Sequence, residues 1–401
     1  MMKKKLLFLS MLIICAACKK MANKQSPPPA GIAPKPVVKT NSKKIFAHMM
    51  PWFEIPQTNG GSWGIHWKMN TRNPDIIDAN GQREIAANYY PLIGPYASGD
   101  TVVIEYQLLL MKLSGIDGVF IDWPGTLNKN DYPLLVRNTL KIVSVISRIG
   151  LDYAIVYEDQ NLVNAADKIA QAKADMTYLQ TNFFVQSNYE KIAEKPVLLV
   201  FGPQQIKTGA DWSSIFSVLP VQPAFFPLLY QSGAAGATAT GEFSWVSQDN
   251  LTTQNNFYDR SFSGQRMGCA YPGFNSFYAQ GGWGGPTWII SHDSLNTFNT
   301  TLELALSKPF VNYIQLVTWN DYGEGTIIEP TAEYGYGYLT LLQQKLGVSG
   351  LSLTDLQMVA QLYDLRKKNA GLPEVQMKLD TISQNMAALN MQTAQTLLSQ
   401  L

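Results

Sequence analysis

The sequence predicts an α/β fold, a (β/α)8 barrel of the TIM type followed by C-terminal helices. Three observations carry that expectation. Short apolar runs alternate with helical stretches over about 290 residues, which argues for a parallel sheet. The clearest runs are apolar at nearly every position, as strands buried on both faces must be. Several runs end in a carboxylate with an aromatic neighbour, at the end of the strand where a barrel carries its active site.

The first segment is a targeting signal. Lys3, Lys4 and Lys5 precede an apolar stretch from Leu6 to Ile14, of signal-peptide length and too short for a permanent membrane span. Cys15-Ala16-Ala17-Cys18 resembles a bacterial lipobox, with Cys18 lipidated and Cys15 where leucine is usual. Residues 1–17 are thus expected to be removed. Residues 18–43, rich in proline and lysine, read as a solvated tether. The expected location is the outer membrane of a bacterium, on its periplasmic face or the cell surface, held by the lipid.

The barrel is predicted over 44–347. Ile45 to Met50 is the first strand, stopped by Pro51 and followed by a loop carrying Trp52, Trp63, His66 and Trp67. Asp100 caps a helix whose inner face is Val103, Tyr106, Leu109, Leu110 and Leu113. Gly115 to Trp123 is the second strand, 134–149 a helix, Leu151 to Asp159 the third strand and 165–184 a helix. Further strands are expected at 195–202, 224–230, 241–246, 266–270 and 312–318. Helix signals are weak between Gly233 and Phe274, so an irregular later barrel is expected. Residues 348–401 read as a helical extension packed on the barrel, with helices at 353–369 and 379–401.

Composition narrows the chemistry. The chain has 401 residues, 46% hydrophobic, and a formal charge of +1, which gives no electrostatic case for nucleic acid. With Cys15 in the signal and Cys18 lipidated, Cys269 is left without a disulfide partner. His48, His66 and His292 are scattered, with no metal-ligand spacing. No Gly-rich phosphate loop and no GxSxG elbow is present, and no cofactor is expected. Nine Trp, 19 Tyr and 17 Phe suit a neutral, ring-shaped ligand.

The most informative stretch is Val317-Thr318-Trp319-Asn320-Asp321-Tyr322-Gly323-Glu324-Gly325-Thr326, at the end of an apolar strand. Two acids at such a place need a reason, because uncompensated buried charge is expensive. Collecting the other strand ends adds His48, Trp52, Asp122, Trp123, Tyr157, Glu158, Asp159, Tyr271 and Phe274. Carboxylates with aromatics are the components of a sugar-cleaving site: one acid protonates the leaving oxygen and a second acts on the opposite face. Substrate contacts are expected from His48, Trp52, His66, Trp67, Tyr90, Asp122, Trp123, Tyr157, Glu158, Tyr271, Trp319 and Asn320. Glu329 reads as structural.

Six segments carry a resemblance. They are Phe46-Ala47-His48-Met49-Met50-Pro51-Trp52, His66-Trp67, Tyr90-Pro91-Leu92-Ile93-Gly94-Pro95-Tyr96, Gly115 to Trp123, Tyr271-Pro272-Gly273-Phe274 and Trp319 to Pro330. In this order, from about Lys44 to Gly347, they resemble glycoside hydrolase families 71 and 99, with the family 99 endo-α-mannosidases and mannanases nearer. The resemblance implies a (β/α)8 barrel acting on α-linked oligo- or polysaccharides without a redox cofactor. It implies Glu324 as general acid and Asp321 as the base that deprotonates the sugar's 2-hydroxyl. Asp321 stands where family 99 usually has glutamate; Trp-Asn-Asp-Tyr-Gly-Glu is the wording of the family 71 α-1,3-glucanases. Pro124 and Asn275 also depart from the pattern, where Tyr and Asp are usual. The expected function is an endo-acting glycoside hydrolase directed at α-mannosides; the alternatives are an α-1,3-glucanase-like activity and a glycan-binding lipoprotein without turnover.

Overall fold

The computed structural model describes residues 31–401; the signal peptide, Cys18 and the first part of the tether lie outside the described residues. Eight parallel strands form the barrel: β1 (Lys44–Met49), β2 (Gly118–Trp123), β3 (Asp152–Tyr157), β4 (Lys195–Val200), β5 (Ala224–Pro227), β6 (Gly241–Phe243), β7 (Gln265–Ala270) and β8 (Tyr313–Leu316). The first and last strands pair, with Phe46 level with Gln315. Between β5 and β6 there is no ladder; single bridges, Phe225 to Ala239 and Leu228 to Phe243, close the ring.

The weak helix signals after Gly233 have a structural counterpart. Between β5 and β6 the chain makes only a helical turn, Ser232–Ala235, and a 3-10 turn, Gly236–Thr238. Elsewhere full helices cover the strands: α1 (Thr101–Leu113), α2 (Tyr132–Ile149), α3 (Lys168–Leu179), α4 (Gly209–Phe216), α5 (Leu251–Asp259), α6 (Asn296–Ser307) and α7 (Gly337–Leu346). Asp100 caps α1 as predicted, its Oδ1 accepting from the Val102 amide at 2.9 Å. Inside the barrel, Phe46 stacks on Phe120 at 4.6 Å. Gly118 is required beside them: a Cβ there would stand 2.3 Å from Phe46 Cε1 and 2.6 Å from the Asp152 carbonyl oxygen.

Two features differ from the sequence reading. The tether expected to reach residue 43 is solvated over less of its length, because residues 32–43 are laid along the N-terminal ends of the strands. There the Thr40 amide donates to the Gly347 carbonyl (3.1 Å), and Lys43 Nζ donates to the Lys308 and Val311 carbonyls (2.7 and 2.6 Å). Lys43 thus serves as a donor to carbonyls of the turn before β8, and Lys39 to the Gly115 carbonyl before β2 (2.9 Å), rather than as solvated charge. The helix expected over 379–401 is two, α9 (Pro373–Ala387) and α10 (Met391–Leu398), after α8 (Leu353–Lys368). The chain breaks at Leu389, whose φ of +62° no helix can contain. Arg366 of α8 and Ser383 of α9 both bond Glu105 of α1, at 3.0 and 2.7 Å, which fixes the extension to the barrel. Removing one member of such a buried pair strands the other's charge, at a cost of about 3–5 kcal/mol.

Candidate active site

Strand parity decides which side chains face the barrel axis, because successive residues of a strand point to opposite faces. Trp123 stacks on Tyr178 of α3 at 5.7 Å, and the Tyr157 hydroxyl donates to Asp175 of α3 at 2.7 Å. Both therefore face outward, and their neighbours Asp122 and Glu158 face in. The loop after β8 brings two more acids. The Asp321 amide donates to Thr318 Oγ1 (2.7 Å), and Asp321 Oδ1 accepts from the Glu324 amide (2.9 Å). That turn folds Glu324 back beside Asp321.

The four carboxyls form one cluster. Asp122 and Glu158 share a hydrogen bond, which requires a proton between them. Burial, and then the charge of Asp321, push Asp122 up to about 7 against a hydrogen bond from Glu158 that lowers it. Burial pushes Asp321 up to about 7, against the amides of Glu324 and Gly323, which favour its ionised form. Glu158 and Glu324 are pushed well above the ordinary carboxyl range, again mainly by burial; the next cause is the charge of Asp122 for Glu158 and of Asp321 for Glu324. Glu324 Oε2 is buried without a hydrogen-bond partner. Burial and mutual charge thus favour protons on the cluster, while two amides favour the ionised form of Asp321, the opposed tendencies that a proton donor and a proton acceptor in one site require. No group of three or more His, Cys, Asp or Glu among the described residues is disposed to hold a metal ion.

Two residues that the sequence reading missed belong here. Tyr278 is raised first by burial and then by the charges of Asp321, Glu324, Glu158 and Asp122, so its hydroxyl lies within electrostatic reach of all four acids. Its ring lies against Gly323, where a Cβ would stand 2.7 Å from Tyr278 Cε1. Tyr278 comes from the long β7–α6 connection, just past a two-residue strand, Phe274–Asn275, too short to carry a period that could have flagged it. The same segment clamps the acid loop: the Asn275 amide donates to the Glu324 carbonyl (2.9 Å) and the Phe277 amide to the Gly323 carbonyl (2.8 Å). His292 braces it from behind. Its Nε2 donates to the Gly325 carbonyl at 2.8 Å, so its Nδ1 accepts from the Tyr338 hydroxyl at 2.6 Å. Burial depresses its pKa to about 4, which keeps that tautomer neutral. Gly273 makes room for the imidazole, since a Cβ there would stand 2.3 Å from His292 Cδ2.

The remaining predicted contacts divide. Trp52 stacks face to face on His66 (4.4 Å, 7° between planes), and His66 sits edge-on to Trp283 (5.5 Å). Trp283 stacks on Tyr278 at 5.8 Å, so a series of rings leads from the acids outward. His48 lies within the barrel, level with Phe120 and one inward layer below Asp122, with its Nδ1 unpartnered. Burial drives its pKa down to about 3, so it is neutral.

Other candidates are turned away from the acids. Besides Trp123 and Tyr157, the Tyr271 hydroxyl donates to Asn250 Oδ1 at 2.6 Å, and Trp67 Nε1 donates to the Tyr96 carbonyl at 2.7 Å; both rings are core. Trp319 is wholly buried. Asn320 is committed to the end of β1, accepting from the Met50 amide (2.8 Å) and donating to its carbonyl (3.0 Å). Tyr90 lies in a separate surface cleft beside Glu333, its hydroxyl accepting from the Arg83 amide at 3.1 Å. Asp159 accepts from the amides of Gln204, Gln205 and Ile206, and so shapes the β4 loop. Cys269 is buried beside Gln254 Oε1 (3.3 Å), and burial pushes its thiol up to about 12.

No family model matches the sequence, and no curated protein does. Solved structures do. The glycoside hydrolase family 99 endo-α-mannosidase of Bacteroides thetaiotaomicron, in complex with bis-tris-propane, superposes with a TM-score of 0.59 at 15% identity, over 76% of this chain and 97% of that one. A second structure of that enzyme gives 0.59 at 15% identity, over 79% and 98%. A glycoside hydrolase-like protein gives 0.58 at 14% identity, over 79% and 98%. The chain is thus a distant, family 99-like barrel in its fold.

Proposed function

We propose that the protein is a glycoside hydrolase that cuts α-linked glycans, endo-acting and directed at α-mannosides. The observation that carries this reading is the pair at the end of β8. Burial and the charge of Asp321 favour the protonated form of Glu324, one of whose carboxyl oxygens is buried and unpartnered, and the amides of Glu324 and Gly323 favour the ionised form of Asp321 beside it. Glu324 gives its proton to the departing glycosidic oxygen as the bond to the anomeric carbon breaks. Asp321 takes a proton from the attacking hydroxyl, which is either a water or the sugar's own 2-hydroxyl. One oxygen of Asp321 is occupied by the Glu324 amide, which leaves the other for that proton. Product stereochemistry by NMR separates the two routes: a direct attack by water inverts the anomeric centre, and a 2-hydroxyl attack followed by water retains it. The fold shared with an endo-α-mannosidase supports the choice of sugar.

The test is Glu324→Gln, which keeps shape and loses the proton. Release of reducing ends from α-mannan, α-1,3-glucan and N-glycan fragments is measured for both proteins. Loss of a general acid costs about 10²–10⁴-fold in turnover, with binding retained. Undiminished turnover by the variant removes Glu324 from the role. Saturable binding without product by the wild type would instead make the protein a glycan-binding one. Export and anchoring through Cys18 belong to the same proposal; Cys18→Ala should release the protein from the membrane fraction, and continued membrane association would refute the anchor.

A further inference from the structure

The two ends of the barrel carry opposite exposed charge. In the loops that follow the strands, around the acid cluster, the exposed charges without an ion-pair partner are Asp75, Asp78, Asp167, Asp249, Asp293 and Glu333 against Lys129 and Lys207. In the segments that lead into the strands they are Lys35, Arg148, Lys191 and Lys195, against Glu194 alone among the described residues. Other acids of that end are taken by cations: Asp117 by Lys39, Asp152 and Glu190 by Lys44, and Asp259 by Lys308. We propose that the N-terminal end of the barrel docks on the anionic headgroups of a lipid bilayer, so that the acid cluster opens away from the membrane. The proposal rests on the reading that Cys18 carries a lipid, and it adds an orientation to that anchor.

The chain enters the described structure on this end. The Ile32 amide donates to Gln384 Oε1 (3.4 Å) and the Lys35 amide to the Ala387 carbonyl (3.1 Å), where α9 finishes. Pro34 packs at Gly150, where α2 finishes. Residues 19–31 connect Ile32 to Cys18; fully extended they reach at most about 45 Å. They carry Lys19, Lys20 and Lys24 and no acid. A tether of that reach holds the domain near the bilayer without choosing which end faces it. Charge makes the choice. Six of the chain's 31 basic residues precede residue 31 and none of its 30 acids does, so the described residues are net negative. An anionic surface therefore repels the domain as a whole and attracts this end of it.

The four cations form one patch. The packing of Pro34 at Gly150 brings Lys35 and Arg148 together. Lys44 ties Asp152, two residues beyond Gly150, to Glu190, the neighbour of Lys191. A short antiparallel ladder then sets Lys191 level with Pro196 and Ile192 level with Lys195. Each basic side chain at an anionic bilayer surface strengthens association about fivefold. Val38 is 67% exposed, Val185 61% and Phe310 46%, all in segments that lead into the strands. Apolar side chains set among cations suit a headgroup layer, where charge lies beside hydrocarbon, better than a polymer of phosphates in water.

The experiment uses the full chain, processed by a bacterial host and reconstituted in vesicles of phosphatidylethanolamine and phosphatidylglycerol. A fluorophore is placed on Ser187→Cys, at this end, or on Asn80→Cys, in the loop after β1; both positions are exposed. Quenching by spin-labelled headgroups reports which end lies on the bilayer. The label at position 187 should be quenched and the label at position 80 should not, and high salt should remove the difference. Lys191→Glu combined with Lys195→Glu should lower the docked fraction about tenfold or more, while the variant stays in the vesicle fraction through its lipid. Circular dichroism melts report that each variant is folded. Equal quenching at the two positions, or quenching at position 187 that the charge reversal leaves unchanged, overturns the docking and leaves the anchor in place. Wild-type protein that stays out of the vesicle fraction overturns the anchor and the docking together. Soluble polyphosphate that binds this end more tightly than the vesicles do assigns it to a polyanion and overturns the lipid. None of these readouts depends on turnover, so the hydrolase reading stands or falls separately.

Discussion

Glu329 offers a direct test of how this barrel holds its buried acids. The carboxyl is 1% exposed and accepts from Tyr96 Oη (2.8 Å), Tyr322 Oη (2.9 Å) and Gln107 Nε2 (2.7 Å), all neutral donors. Burial outweighs those bonds and pushes it from 4.5 to about 7. A carboxyl whose pKa rises on folding binds its proton more tightly in the folded state. Its contribution to stability is therefore whole below pH 4.5 and is lost as pH rises to about 7. At about 1.4 kcal/mol per pH unit, that loss is about 3 kcal/mol. Glu329→Gln abolishes the titration. The new amide has an acceptor ready, because Gln107 Oε1 is buried without a partner and an amide flip turns it toward position 329. The assay is urea unfolding of wild type and variant at pH 4.5 and pH 8. The wild type should lose about 3 kcal/mol more than the variant across that interval. Asp122 and Asp321 titrate in both proteins and cancel in the difference. An equal loss in both would refute the reasoning, since Glu329 would then be ionised throughout.

Three further predictions concern the acid loop. Tyr278→Phe removes a hydroxyl within electrostatic reach of the four acids; turnover should fall by about 10-fold or more, and the pH profile should shift, whereas a purely packing role leaves the profile unmoved. His292→Ala removes the donor to the Gly325 carbonyl, so kcat should fall more than KM rises; an equal change in both would mean that the loop is positioned without it. In the pH–rate profile, activity should climb through about 7 as Asp321 ionises and fall at higher pH as Glu324 loses its proton. Asp122→Asn removes a negative neighbour of Asp321 and should move the rising limb to lower pH; a rising limb that stays put would separate the two acids.

The barrel was legible because its cause is local. Parallel strands buried on both faces must be apolar at nearly every position, and β2 and β3 are, apart from Asp122 near the end of one and Asp152 at the start of the other, so their position and order follow from composition. The short β5 and β6 are over-extended in the sequence reading, because Leu228-Leu229 and Trp245-Val246 are apolar without pairing in a ladder. The break at Leu389 was missed for a similar reason, since helix-forming residues continue on both sides of one left-handed position.

The site was legible in part. Asp122, Glu158, Asp321 and Glu324 lie in the sequence as acids at strand ends, and the structure brings all four together. The aromatics beside them were read as contacts too, yet a strand alternates its faces. Trp123 cannot face the axis if Asp122 does, nor Tyr157 if Glu158 does. That rule was available from the sequence alone. The roles of Tyr278 and His292 were not, because they reach the acids across an irregular connection whose path depends on contacts distant in the chain. The sequence by itself determined the barrel and the acids at its rim, since hydrophobic period and strand ends are local properties. Only the tertiary structure decided how burial shifts those acids and what braces their loop, since burial and loop packing are set by the whole molecule.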